Sequence, residues 1–256
     1  MFAAVDGRET YYRAGGAGEP LVLLHGWGVS SESFVGLAGE LERRFAVTAM
    51  DLPGFGWSAP PPGAWGSLDY AGHVARFMDA IGVPSAHVLG HSFGGRVAVA
   101  LAAHFPERVR RLVLVASGGI RPRRTARYYL KVGAAKAARH LLSPTLWGRW
   151  GSRMHAKLGE RVGSRDYRQA GPMRPILVRL VNEDARRLLA RVQARTLILW
   201  GSGDPEIPVA SMRVMAEGIR GARLEILEGA GHFPFVDMPE RFVRLVGDFL
   251  GEGGVR

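Results

Sequence analysis

Gly90-His91-Ser92-Phe93-Gly94-Gly95 stands between the apolar run Ala-His-Val-Leu at 86–89 and an Ala/Val-rich run at 96–104. The first run reads as a short buried strand and the second as a helix. A chain that passes from strand to helix in so few residues pushes Ser92 out of the sheet in a strained conformation. Glycines two before and two after it remove the Cβ atoms that would clash. The helix that opens there aims unbonded N–H groups at negative charge developing beside the serine. A serine hydroxyl is a poor nucleophile unless a base reaches it, so the candidates for base and acid are sought at other strand ends.

Both lie downstream. The run Arg-Thr-Leu-Ile-Leu-Trp-Gly at 195–201 reads as a buried strand that ends in Ser202-Gly203-Asp204-Pro205-Glu206-Ile207-Pro208, a tight loop ahead of a helix expected over 207–218. The alternating stretch at 223–228 reads as an outer strand, and Gly229-Ala230-Gly231-His232-Phe233-Pro234 follows it. The chain order Ser92, Asp204, His232 separates this arrangement from the two other common serine triads.

Four segments, His25-Gly26-Trp27-Gly28, Asp51-Leu-Pro-Gly-Phe-Gly-Trp-Ser58, Gly90 to Gly95 and Gly231-His232-Phe233, carry a resemblance that spans nearly the whole chain. The sequence resembles the α/β-hydrolase-fold serine hydrolases. The resemblance implies a mostly parallel central sheet with helices on both faces and an inserted helical cap. It also implies an oxyanion hole made by the backbone N–H groups of Trp27 and Phe93, and a structural role for the Asp51 loop; no cofactor and no metal are expected, since no motif for either is present.

Each candidate has a plainer alternative. Of eight histidines, His25 reads as a brace for the oxyanion loop, His91 as the variable position of the turn, and the other five besides His232 lack a partner signal. His232 stands apart because it falls in a Gly-flanked loop where the resembling proteins place their base. Asp204 could instead cap a helix. Its rival as triad acid would follow the strand at 111–116, but that position reads Ser117-Gly118-Gly119, without a carboxylate, which leaves Glu206 as the fallback.

Strands are expected at 11–14, 21–24, 46–50, 86–90 and 111–116, with helices at 67–81 and 95–104; alternation of this kind favours a doubly covered parallel sheet. It stops after 118. Helices are expected at 128–142, 147–158 and 175–189 before alternation resumes, so residues 1–118 and 188–256 read as one discontinuous core and residues 119–187 as the cap. Between residues 119 and 190 there are 17 lysines and arginines against four acids, in a chain whose net charge is +11. Dispersed at helical spacings, these read as solvated helix faces; attraction of an anionic ligand is the alternative.

The composition excludes several classes. With 256 residues and 47% hydrophobic content the chain supports one sizeable core plus an insertion. No apolar run approaches the ~18 residues of a membrane span, and the start has no signal-peptide pattern, so a cytoplasmic location is expected. There is no cysteine, no metal-binding His/carboxylate spacing, no phosphate-binding loop and no recognisable nucleic-acid module. The expected partner is a small acyl compound, apolar in part. Trp57, Phe233 and Phe235 are candidate pocket walls, and each could instead be core. The expected reaction is hydrolysis of a carboxylic ester or related acyl compound through an acyl-enzyme. C–C bond cleavage of an anionic diketo acid, a perhydrolase or haloperoxidase activity, and a catalytically idle binding protein are the alternatives.

Overall fold

The computed structural model describes residues 1–121, 133 and 165–252. It divides into two compact units, Met1–Arg121 with Val178–Arg256, and Pro122–Leu177. The expected helices at 128–142 and 147–158 lie outside the described residues.

The first unit opens with a hairpin that joins β1 (Phe2–Val5) to β2 (Arg8–Gly15) through Asp6 and Gly7, at φ 51 and 72. Two consecutive positive φ angles are what a two-residue turn needs to match strand twist, and Asp-Gly supplies them cheaply. Six further strands follow: β3 (Glu19–Leu24), β4 (Phe45–Met50), β5 (Ala86–His91), β6 (Val109–Val115), β7 (Arg195–Gly201) and β8 (Arg223–Leu227). The sheet runs β1-β2-β4-β3-β5-β6-β7-β8; the pairings of β2 are antiparallel and every other pairing is parallel. Parallel neighbours require crossovers, which α1 (Val35–Leu41), α2 (Ser67–Ala80) and α3 (Phe93–His104) provide around the central strands.

Alternate residues of each strand serve opposite faces. Leu21, Leu23, Val47, Leu89, Val113, Leu197 and Leu199 form one core with Leu37 and Leu41 of α1 and with Phe242, Val246 and Phe249 near the C-terminus. Val22, Leu24, Val88, Leu112 and Ile198 are also buried, facing the other way, which is why the strands read as continuous apolar runs. The expected helix at 175–189 is in fact two. Among the described residues, α4 (Arg165–Gln169) comes first, then α5 (Arg174–Asn182) and α6 (Arg186–Leu189). The break comes at Glu183, whose carboxylate accepts hydrogen bonds from the Ser67 N–H at 3.0 Å and the Ser67 hydroxyl at 2.5 Å. Asp184 then accepts from the Arg186 N–H and restarts the helix. The remaining helices are α7 (Val209–Gly218), α8 (Pro234–Asp237) and α9 (Pro239–Gly251).

The Asp51 loop is structural, as the resemblance implied. Asp51 is fully buried, and its carboxylate accepts from the backbone N–H groups of Ser31 at 2.7 Å and Trp57 at 2.9 Å. Its carbonyl accepts from the Ser58 hydroxyl at 2.6 Å, which in turn accepts from the Tyr11 N–H. Asp51→Ala would orphan the buried Ser31 N–H at about 1–3 kcal/mol and the part-buried Trp57 N–H at less, so a stability loss of about 1–4 kcal/mol is expected in urea denaturation. A loss under about 1 kcal/mol would mean that water or loop movement replaces the carboxylate.

Candidate active site

Ser92 sits between β5 and α3 with φ 51 and ψ −109, in the left-handed region that a non-glycine residue rarely adopts. Neighbouring backbone fixes it there: its N–H donates to the Val115 carbonyl, and its carbonyl accepts from the N–H groups of Gly118 and Arg96. The glycines are required sterically. A Cβ on Gly90 would lie 2.5 Å from the Gly94 carbonyl oxygen, and one on Gly94 would lie 2.0 Å from that of Leu24. The strained turn thus rests on close backbone contact with β3, and Ser92 itself stays partly exposed.

His232 follows β8 and Asp204 follows β7, and the loops bring them together. Their separation is 2.9 Å, from Nδ1 of His232 to Oδ2 of Asp204, with both side chains buried. A carboxylate only accepts, so Nδ1 carries the proton and Nε2 is the nitrogen left for chemistry. Asp204 is no cap of α7, whose N-cap is Pro208. Its other oxygen instead accepts from the N–H groups of Glu206 at 2.8 Å and Ile207 at 3.1 Å, which wraps the loop around the carboxylate. Burial alone would push the Asp204 carboxyl up, but hydrogen bonds from His232 and these two amides outweigh it and hold it below its usual range.

Ser92 is tied to His232 through its neighbour. Nε2 of His91 donates to the carbonyl oxygen of His232 at 2.8 Å, and the two rings lie 4.9 Å apart. His91 is therefore more than the variable position of the turn: it fixes the backbone that carries the candidate base. The spacing of the sequence could not disclose this, because the partner lies 141 residues away. Among the described residues no hydrogen bond joins the Ser92 hydroxyl to Nε2; Glu206 Oε2 lies 3.3 Å from that nitrogen.

Trp27 and Phe93 face each other across this turn, with ring centroids 5.5 Å apart. Among the described residues neither backbone N–H has an acceptor, which suits donors meant for an oxyanion. His25 braces the loop before Trp27. Its Nε2 accepts from the Leu52 N–H at 2.9 Å, so Nδ1 carries the proton and donates to the Gly26 carbonyl at 2.7 Å.

The candidate pocket walls divide. Phe233 lies partly buried beside His91 and His232. Phe235 is only 4% exposed and packs on Phe34 and Phe242, so it belongs to the core, not to a pocket wall. Trp57 is 71% exposed, and among the described residues no ring meets it; Phe55 of the same loop takes the place beside Trp27 and Phe93. Loop registers of this kind are invisible to an apolar count. A cavity of about 270 Å³ opens one turn of α3 beyond Ser92, lined by Arg96, Ser67, Leu68, Glu183, Ala185 and Leu188 among others.

Three histidines, two of them at this site, are kept neutral by burial: the pKa falls from 6.5 to about 4 in His25, to about 4 in His73, which lies on α2 away from the site, and to about 3 in His91. His73 meets the Thr10 hydroxyl through Nε2 at 2.9 Å. Depressed values mean that the unfolded chain binds these protons first. The stability they contribute is complete above pH 6.5 and is lost as pH falls towards about 4. Near pH 5 the slope should approach three protons, about 4 kcal/mol per pH unit, in urea midpoints collected between pH 7 and 4.5. A slope below one proton would show that these rings are protonated in the folded chain.

A family model described as alpha/beta hydrolase fold matches residues 19–239. The chain is similar to the pimeloyl-[acyl-carrier protein] methyl ester esterase of Aeromonas hydrophila, at 32% identity over 92% of this chain and 97% of that one. It is also similar to the 2-hydroxymuconate semialdehyde hydrolase of a Pseudomonas species, at 31% identity over 96% of this chain and 92% of that one. Among solved structures, a meta-cleavage product hydrolase from Pseudomonas fluorescens superposes with a TM-score of 0.75 at 25% identity, covering 98% of this chain and 97% of that one.

Proposed function

The chain belongs to the alpha/beta hydrolase fold family, and on that premise we propose that it hydrolyses a carboxylic ester or a related acyl compound through a serine nucleophile. The observation that carries this reading is the strained Ser92 turn joined, through the His91 bond to the His232 carbonyl, to an imidazole that donates to a buried carboxylate. Ser92 Oγ attacks the acyl carbon while His232 Nε2 takes its proton. Asp204 holds the ring in the tautomer that leaves Nε2 free and stabilises the imidazolium that forms. The carbonyl oxygen becomes an oxyanion facing the N–H groups of Trp27 and Phe93. The alcohol leaves with the proton from Nε2, and water, activated at the same nitrogen, cleaves the acyl-enzyme.

The division of the chain into two units supports reading the segment around 119–187 as the inserted cap. Among the described residues no helix is long and apolar enough to cross a membrane.

Similarity to the 2-hydroxymuconate semialdehyde hydrolase favours a second reading, C–C cleavage of an anionic diketo acid. Turnover of p-nitrophenyl esters of graded acyl length, measured beside a dienone-type C–C substrate, separates the two. Ester turnover that outpaces C–C cleavage at every acyl length supports the first reading. C–C cleavage with only trace ester hydrolysis overturns it.

A further inference from the structure

We propose that Glu206 selects substrate charge: its carboxylate, beside the reactive nitrogen of the candidate base, makes the site prefer a cationic group near the scissile bond over a neutral isostere and disfavour a carboxylate. The inference rests on the reading of Ser92 and His232 given above. Glu206 Oε2 lies 3.3 Å from His232 Nε2, on the side of the ring opposite Asp204, which holds Nδ1 at 2.9 Å. The placement is built by the loop, because the Glu206 N–H donates to Asp204 Oδ1 and so turns the side chain towards the ring that Asp204 also holds.

Three features make the charge effective. Among the described residues Glu206 pairs with no arginine or lysine, and its contact with His232 is ionic only when that ring takes up a second proton. A charge without a cationic partner remains available to a ligand. The other histidines packed at the site, His25 and His91, are neutral through burial, with pKa values of about 4 and about 3. They do not offset two carboxylates. Finally, the Glu206 side chain is 57% exposed, so its carboxylate is open to an approaching ligand, whereas Asp204 is sealed at 1%. With Nδ1 protonated, Nε2 presents a lone pair, and lone pair and carboxylate together present only electron-rich atoms to that ligand. A cationic substituent there gains, and a carboxylate loses, by the same Coulomb term, weakened by solvent because Glu206 is more than half exposed.

Dissociation constants test this on the Ser92→Ala background, where esters bind without turnover. The probes are three matched aryl esters that carry a trimethylammonium group, its neutral tert-butyl isostere, and a carboxylate. The trimethylammonium ester should bind about three- to tenfold more tightly than the isostere, and the carboxylate ester more weakly than both, at low salt. Adding Glu206→Gln should bring the first ratio close to one. Glu107→Gln, in the turn Pro106–Arg108 that precedes β6, should leave it unchanged. Equal constants for the three esters, or a ratio that survives Glu206→Gln, overturn the proposal. Hydrolysis of the neutral ester by the parent chain is scored separately: its absence counts against the hydrolase reading, while the binding ratios still measure charge selection.

Discussion

Ser92→Ala is expected to lower kcat for ester hydrolysis by about 10⁶-fold while leaving the fold intact, because triad members act as a unit and loss of the nucleophile removes the covalent route altogether. The residual rate over water, about 10³ to 10⁴-fold, would come from the oxyanion donors and from binding. Stability should not fall. The hydroxyl makes no hydrogen bond among the described residues, and alanine keeps the Cβ that the strained φ of 51 already accommodates. A variant that retains even a tenth of the parent rate would remove Ser92 from the chemistry, whatever the state of the rest of the site.

The second large effect is expected at Asp204. Asp204→Asn should cut kcat by about 10⁴-fold. An amide in place of Oδ2 can present N–H to Nδ1, which turns the ring to the tautomer whose Nε2 carries a proton and cannot take one from serine. The loop should survive, since the amide oxygen can still accept from Glu206 and Ile207 as Oδ1 does. A stability loss of about 1 kcal/mol with activity retained would identify Asp204 as a turn-former only. The contrast with Glu206 is diagnostic: it contacts Nε2 instead of Nδ1, so Glu206→Gln should change kcat for a neutral ester by less than about tenfold. A reversal of the two effects would transfer the acid's role to Glu206. Because the Asp204 carboxyl is held below its usual range, its stabilising share is present above a pH of about 4 and disappears as pH falls through the folded value.

The parallel half of the sheet could be read from residues alone, because strands covered on both faces are continuous apolar runs. The run at 195–201 coincides with β7 to the residue, and those of β3, β5 and β6 agree within two. β1 escaped an apolar search, since Phe2–Val5 is short and mostly exposed; its signal was the Asp6-Gly7 dipeptide of the turn. α1 escaped because Gly36 and Gly39 dilute its helical pattern, and it is held by Leu37 and Leu41 packing on the sheet. The helix at 175–189 was expected whole. Its break at Glu183 depends on Ser67, a partner 116 residues away.

At the site, residue types at strand ends made Ser92, Asp204 and His232 the candidates, and the structure places the side chains of Asp204 and His232 2.9 Å apart. Side-chain direction was not legible. Nothing in the spacing shows that His91 points at the His232 carbonyl, that Phe235 turns inward, or that Glu206 reaches Nε2. Those outcomes are set by loop backbone, which has no periodicity to read.

The most direct measurement is covalent capture. The folded chain is treated with an alkyl fluorophosphonate, and the adduct is weighed on the intact protein and mapped to a peptide. One adduct per chain on Ser92, absent after denaturation and absent in Ser92→Ala, is the expected result. No adduct on the folded chain, or an adduct on any other residue, would contradict the assignment of Ser92 as the nucleophile.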